Sequence, residues 1–183
     1  PHYRHMVTQL KALQFLRGGR RWLLKSPQHL EQLPVLNAEL RGVVGVFTHR
    51  DPVPVVLSMI AMLTYSARMH RSPVPVEHIA AYWLQRLEHM LAGLVRDREI
   101  IGRDRSIDIR FDDFMADDLG TAESVFALAE EQLSDAERSA MADYLAGHQR
   151  GRLGRVETSC EMFGLDPDEL KARFAPYTQR FLA

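Results

Sequence analysis

A single cysteine, Cys160, among 183 residues leaves neither an internal disulfide nor a cysteine-based zinc site to be built. One thiol fits a reducing compartment, and the expectation is a cytoplasmic protein. Charge of one sign is lacking too. With 23 Lys and Arg against 24 Asp and Glu, the net charge is −1, so any anion site must be local rather than a general pull on polyanions. No apolar run approaches the length of a membrane span, and the first residues do not form a signal peptide. Neither a nucleic-acid nor a membrane partner is therefore expected. The chain also opens at Pro1 without an initiator methionine, and the expectation is that a segment precedes it.

What is present is ordinary for a globular fold: 46% apolar and 26% charged residues, in a length suited to one domain over residues 1–183. The most informative stretch runs from Val43 to Ser58. Val43-Val44-Gly45-Val46-Phe47 is short, β-branched and bounded by Gly42, which predicts a buried strand. Asp51 then fits a helix N-cap and Pro52 the first helical position, where a missing N–H costs nothing. This grammar puts Arg50 at the carboxyl end of the strand and Ser58 about two turns into the helix. A guanidinium and a hydroxyl in the crevice at a sheet edge suit a phosphate.

The remaining chain repeats that pattern. A helix over residues 5–17 carries Met6, Leu10, Leu13 and Leu16 on one face and stops at Gly18-Gly19. Arg-Gly-Gly-Arg-Arg is read as a helix stop with solvated charge in preference to a nucleic-acid tail. A strand is expected at Trp22 to Lys25, followed by a cap and crossover at Ser26-Pro27, with His29 in the first turn and Leu30, Leu33, Leu36 and Leu40 facing the core. A long helix over residues 77–98 has the stripe Ile79, Trp83, Leu87, Met90, Leu91 and Leu94. A third strand is expected from Ile107 to Phe111. The aspartates that follow, Asp112, Asp113, Asp117 and Asp118, lack calcium-loop spacing and read as turn and helix-start residues. Two helices come next, over residues 121–132 and 136–146. The second opens on a Ser134-to-Glu137 capping box and carries too much acidic charge for a DNA-reading helix. Arg150, Arg152 and Arg155, spaced by Gly151 and Gly154, form a basic loop able to pair with an anion. Asp166-Pro167 starts a last helix that packs through Leu170, Phe174, Tyr177 and Phe181.

Arg50 and Ser58 behind an apolar strand, the Lys25-Ser26-Pro27-Gln28-His29 segment, and His148-Gln149-Arg150-Gly151-Arg152 followed by Phe163-Gly164-Leu165 together resemble the sulfotransferases that use 3′-phosphoadenosine-5′-phosphosulfate, PAPS. The resemblance runs in order from Tyr3 to Phe181. It implies an α/β fold, a parallel β-sheet flanked by helices of the P-loop-NTPase-like sulfotransferase type, incomplete at its N-terminus because no Gly-x-x-Gly-Thr-Thr or Walker-type sequence appears. It also implies sulfuryl transfer from PAPS to a hydroxyl or amine of a small-molecule acceptor, without a metal. Arg50, Ser58, Arg150, Gly151 and Arg152 would hold the 3′-phosphate. Phe111 would lie by the adenine where relatives carry a tyrosine. Lys25 would stabilise charge at the transferring group and His29 would be the general base, although it stands four residues after the lysine where two are common. A non-catalytic module that binds a 3′-phosphorylated nucleotide or a protein partner is the alternative. A P-loop kinase would need a phosphate loop that the sequence does not contain.

Overall fold

The computed structural model describes residues 1–19, 21–152, 154 and 156–183. Arg20, Leu153 and Arg155, which belong to the two basic runs, lie outside the described residues. Helix α1 (His2–Arg17) ends at Gly18, whose φ of +72° lies in the left-handed region that side chains avoid. Its apolar face finds no deep cover: no residue of α1 is buried, and Leu13, Phe15 and Leu16 are exposed.

The strand expected at Trp22 to Lys25 does not form. Residues 21–26 have no regular structure, and Leu23 is 92% exposed. Leucine is a weak strand former, and an extended segment needs a neighbouring ladder for its N–H and C=O groups. Among the described residues the sheet consists of β1 (Gly45–His49) and β2 (Ser106–Arg110) paired with each other, and residues 22–25 add to neither edge. Three strand-to-loop units thus become two. Ser26 does not cap the next turn; its hydroxyl bonds the Gln28 side chain, and Pro27–Glu31 is a 3-10 turn. Helix α2 (Leu33–Glu39) then buries Leu33 and Leu36, with Leu30 and Leu40 packed beside them.

The two strands run parallel in a register that sets His49 opposite Arg110. Parallel pairing demands a crossover, supplied by α3 (Pro52–Ala67) and α4 (Val76–Asp97). The stripe of α4 is rotated slightly from expectation: Ala80, Leu84, Leu87, Leu91 and Leu94 are buried, while Ile79 and Trp83 are only half-buried. It meets Val56, Leu57 and Ile60 of α3 and Leu170, Phe174 and Tyr177 of α8 (Pro167–Phe181). Burial of each such side chain contributes about 1.5–3 kcal/mol. The second strand ends one residue earlier than its alternation suggested. Phe111 opens α5 (Phe111–Ala116), because Asp112 and Asp113 favour the positive end of a helix over an extended ladder.

Helices α6 (Asp118–Leu128) and α7 (Asp135–Gly147) bury no residue fully. Asp117 caps α6 through the Gly120 N–H, and the Ser134–Glu137 capping box of α7 is complete. Asp166 caps α8 by accepting from the N–H groups of Asp168 and Glu169. No described helix is long and apolar enough to cross a membrane.

Candidate functional site

The carboxyl end of β1 is built as the sequence proposes. Asp51 accepts from the Val53 N–H at 2.9 Å, Pro52 occupies the first turn of α3, and Arg50 is left between strand and helix. Its guanidinium carbon lies 4.1 Å from the centroid of the Phe111 ring, so the two residues meet across the strand ends. They line a crevice of about 400 Å³ with Asp51, Arg110, Asp112 and Thr178. Among the described residues neither Arg50 nor Arg110 has a carboxylate within ion-pair distance, although Arg98 and Arg150 do. Two guanidinium groups that are not ion-paired with the Asp51 and Asp112 carboxylates of the same crevice, together with an aromatic face, suit an anionic, ring-bearing ligand.

Beneath this crevice lies a polar chain that sequence patterns did not disclose. His49, 1% exposed, shares Nε2 with Asp108 Oδ1 at 2.8 Å and Nδ1 with the Tyr177 hydroxyl at 3.0 Å. Arg98, also 1% exposed, donates twice to Asp108, each bond 2.7 Å, and lies over the Phe47 ring. Burial lowers the pKa of His49, with Asp108 opposing that trend. Burial likewise pushes the Asp108 carboxyl up, but hydrogen bonds from Arg98 and His49 outweigh it and leave the pKa below its ordinary value. The Tyr177 phenol is pushed up to about 12, chiefly by burial. At neutral pH the chain is therefore a carboxylate, a guanidinium, a neutral imidazole and a neutral phenol.

The other proposed site residues stand elsewhere. Lys25 is exposed on the irregular segment, and His29 sits half-buried in the 3-10 turn, its Nδ1 2.8 Å from the Tyr3 hydroxyl. Burial lowers the His29 pKa, which keeps the ring neutral, as a base must be. That turn is pressed against α4 at Gly93, where a Cβ would stand 2.8 Å from the Glu31 Cα. Ser58 is exposed on α3, outside the lining of the crevice. Arg150 bonds the Met115 carbonyl and pairs with Asp118, its guanidinium 5.3 Å from the Phe114 centroid. Phe111 and Phe114 are three residues apart on α5 and so share a face. Arg50 and Arg150 therefore rest on one short helix. Gly151 has φ +80° with open space where a Cβ would be, so its glycine serves the turn and not a close approach. Arg152 is exposed next to it.

Of the proposed residues, the structure brings Arg50 and Phe111 into contact and sets Arg150 on the same helix. It does not bring Lys25, His29, Ser58, Gly151 or Arg152 to the crevice lining. Arg110, Thr178, His49, Asp108, Arg98 and Tyr177 were missed. Asp108 and Arg110 carried a sequence signal as polar partners in the alternation of β2, and Tyr177 as a packing residue of the last helix, but none of them as a site residue.

A model of a sulfotransferase family matches residues 2–135, a span that includes Lys25, His29, Arg50, Ser58 and Phe111 and stops short of Arg150. No curated protein matches. The fold resembles the crystal structure of sulfotransferase STF9 from Mycobacterium avium, with a TM-score of 0.85 and 22% identity over 98% of this chain and 46% of that one. It also resembles sulfotransferase STF1 from Mycobacterium tuberculosis H37Rv, with a TM-score of 0.67 and 25% identity over 85% of this chain and 40% of the other. The chain thus spans less than half the length of either solved protein.

Proposed function

The chain belongs to the sulfotransferase family, and on that premise we propose that it holds the 3′-phosphate end of PAPS and serves transfer of the sulfuryl group to a hydroxyl or amine of a small-molecule acceptor. The observation that carries this reading is Arg50: an arginine without a carboxylate partner among the described residues, seated on the Phe111 ring at the carboxyl edge of a parallel strand pair. Arg50 would supply paired donors to the phosphate, and Phe111 an apolar face to the adenine. Arg150 would close the clamp from α5, with Ser58, Gly151 and Arg152 as its further contacts.

In the transfer, the acceptor oxygen or nitrogen forms a bond to sulfur as the bond from sulfur to the donor phosphate breaks. Adenosine 3′,5′-bisphosphate leaves with the electron pair. Positioning and charge stabilisation dominate such a step. Lys25 would stabilise the leaving charge. His29 would take the acceptor proton at Nε2, which requires that Nδ1–H donate to the Tyr3 oxygen.

Titrating adenosine 3′,5′-bisphosphate into the protein by calorimetry tests the reading. Arg50→Ala is expected to weaken binding about tenfold to a hundredfold, the scale of a lost charged hydrogen-bond donor. Equal affinities in the two proteins would remove Arg50 from the site.

A further inference from the structure

We propose that Tyr177 is a positioning residue for this anion site: through His49 it fixes the strand end from which the Arg50 guanidinium reaches its ligand. The inference rests on Arg50 being the anion-binding residue.

With the His49 imidazole neutral, the protons of this chain can be placed in only one way. Arg98 has only donors, so Asp108 accepts on both oxygens. The same carboxylate then accepts from His49 Nε2, which must carry the imidazole proton. Nδ1 is left bare, and the Tyr177 hydroxyl must donate to it. Each link comes from a different element: the 3-10 turn Arg98–Ile100, β2, β1 and α8. Phe181, one turn beyond Tyr177, stacks on the His49 ring at 4.5 Å and 13°, which fixes the plane of the imidazole.

Such a chain is a costly way to fill a core, since apolar side chains of the same volume are often as stable or more so. Its distinguishing product is orientation. His49 immediately precedes Arg50, and Tyr177 immediately precedes Thr178, which lines the crevice. Helix α8 therefore clamps the floor of the site while leaving the guanidinium free above it.

The test is a double-mutant cycle on the affinity for adenosine 3′,5′-bisphosphate, read by calorimetry in wild type, Tyr177→Phe, Arg50→Ala and the double variant. Tyr177→Phe keeps the ring and removes the hydroxyl. It is expected to weaken binding about tenfold, the scale at which outer groups act on a ligand-holding side chain, and to cost nothing further once Arg50 is alanine. A general loosening of the fold would instead weaken both backgrounds equally, and that result would overturn the proposal. So would wild-type affinity in Tyr177→Phe while Arg50→Ala is weakened. An unchanged affinity in Arg50→Ala, or no binding by wild type, would overturn the anion-site reading and this inference with it. If Tyr177→Phe does not fold, His49→Gln carries the same cycle, because it keeps a donor toward Asp108 and removes the Nδ1 acceptor.

Discussion

Arg50 and Arg150 rest on the same short helix, over Phe111 and Phe114, yet they stand on different ground. Below Arg50, a buried imidazole and a buried guanidinium meet on the part-buried Asp108 carboxylate and bind two strands and a helix together. Arg150 is held from outside, by a carbonyl of α5 and the partly exposed Asp118, on a turn that depends on the positive φ of Gly151. A guanidinium closed off from water costs several kcal/mol when its carboxylate is removed, whereas an exposed pair contributes about 0–1 kcal/mol. Arg50 is thus placed by the interior of the fold, and Arg150 by contacts that an arriving anion can replace.

Asp108→Asn attacks the buried side of this contrast and has the largest expected effect. It leaves the Arg98 charge without its carboxylate in a site 1% exposed to solvent. Urea unfolding near neutral pH is expected to show a loss of about 3–5 kcal/mol. A loss below about 1 kcal/mol would make the network no firmer than a surface pair.

Gly93→Ala extends the comparison to the His29 turn. The new methyl would meet the Glu31 Cα at 2.8 Å and the Leu30 carbonyl at 3.1 Å, backbone atoms that cannot swing away. Overpacking of this kind costs about 1–3 kcal/mol and would displace His29 from Tyr3. Thermal unfolding measures the cost, and an unchanged Tm would show that the turn shifts to accept the methyl.

Local grammar made one of the two regions legible and only part of the other. Asp51-Pro52, Ser134 to Glu137 and Asp166-Pro167 are signals in which a side chain satisfies an N–H two or three residues away, and each forms as expected. Sulfotransferase membership was legible for a related reason, since the Lys25 to His29 segment, Arg50 and Ser58 are local motifs that follow one another in order within the matched span. The His49 chain was not legible, because its partner Tyr177 lies 128 residues away and nothing in a Thr-His-Arg tripeptide names it. The misplaced strand at Trp22 to Lys25 failed through the same non-locality. An apolar run becomes a strand only beside another strand, and periodicity cannot say whether one is adjacent.

Acid should also distinguish the two arginine seats. His49 has a folded pKa below its ordinary 6.5, so the unfolded chain binds that proton first and stability falls as pH drops below about 6.5. Asp108, lowered from 3.8, adds a loss of the same sign at more acid pH. Tyr177, raised from 10.0 to about 12, contributes stability that is present below pH 10 and lost above it. These three groups leave stability flat from about pH 6.5 to 10. A tenfold difference in proton affinity between the folded and unfolded chain corresponds to about 1.4 kcal/mol. Thermal unfolding between pH 7 and 5 should show a fall in Tm that His49→Gln reduces and Asp118→Asn does not. An equal fall in wild type and His49→Gln would assign the acid sensitivity to other groups.

The smallest effect on stability, and the sharpest on the comparison, is expected from Asp118→Asn. The Arg150 to Asp118 pair is partly solvated on both sides, so its loss should change unfolding by less than about 1 kcal/mol. Affinity is another matter, because an anion that recruits Arg150 must first compete with Asp118. Removing that carboxylate should tighten binding of adenosine 3′,5′-bisphosphate by about twofold to tenfold and steepen its dependence on salt, as a freed cation does near a phosphate. Calorimetry at two ionic strengths reads both quantities. An unchanged affinity would mean that Arg150 takes no part in holding the phosphate. The anion would then depend on the arginine whose position the buried network sets, and the loop would be a neighbour of the site without being half of it.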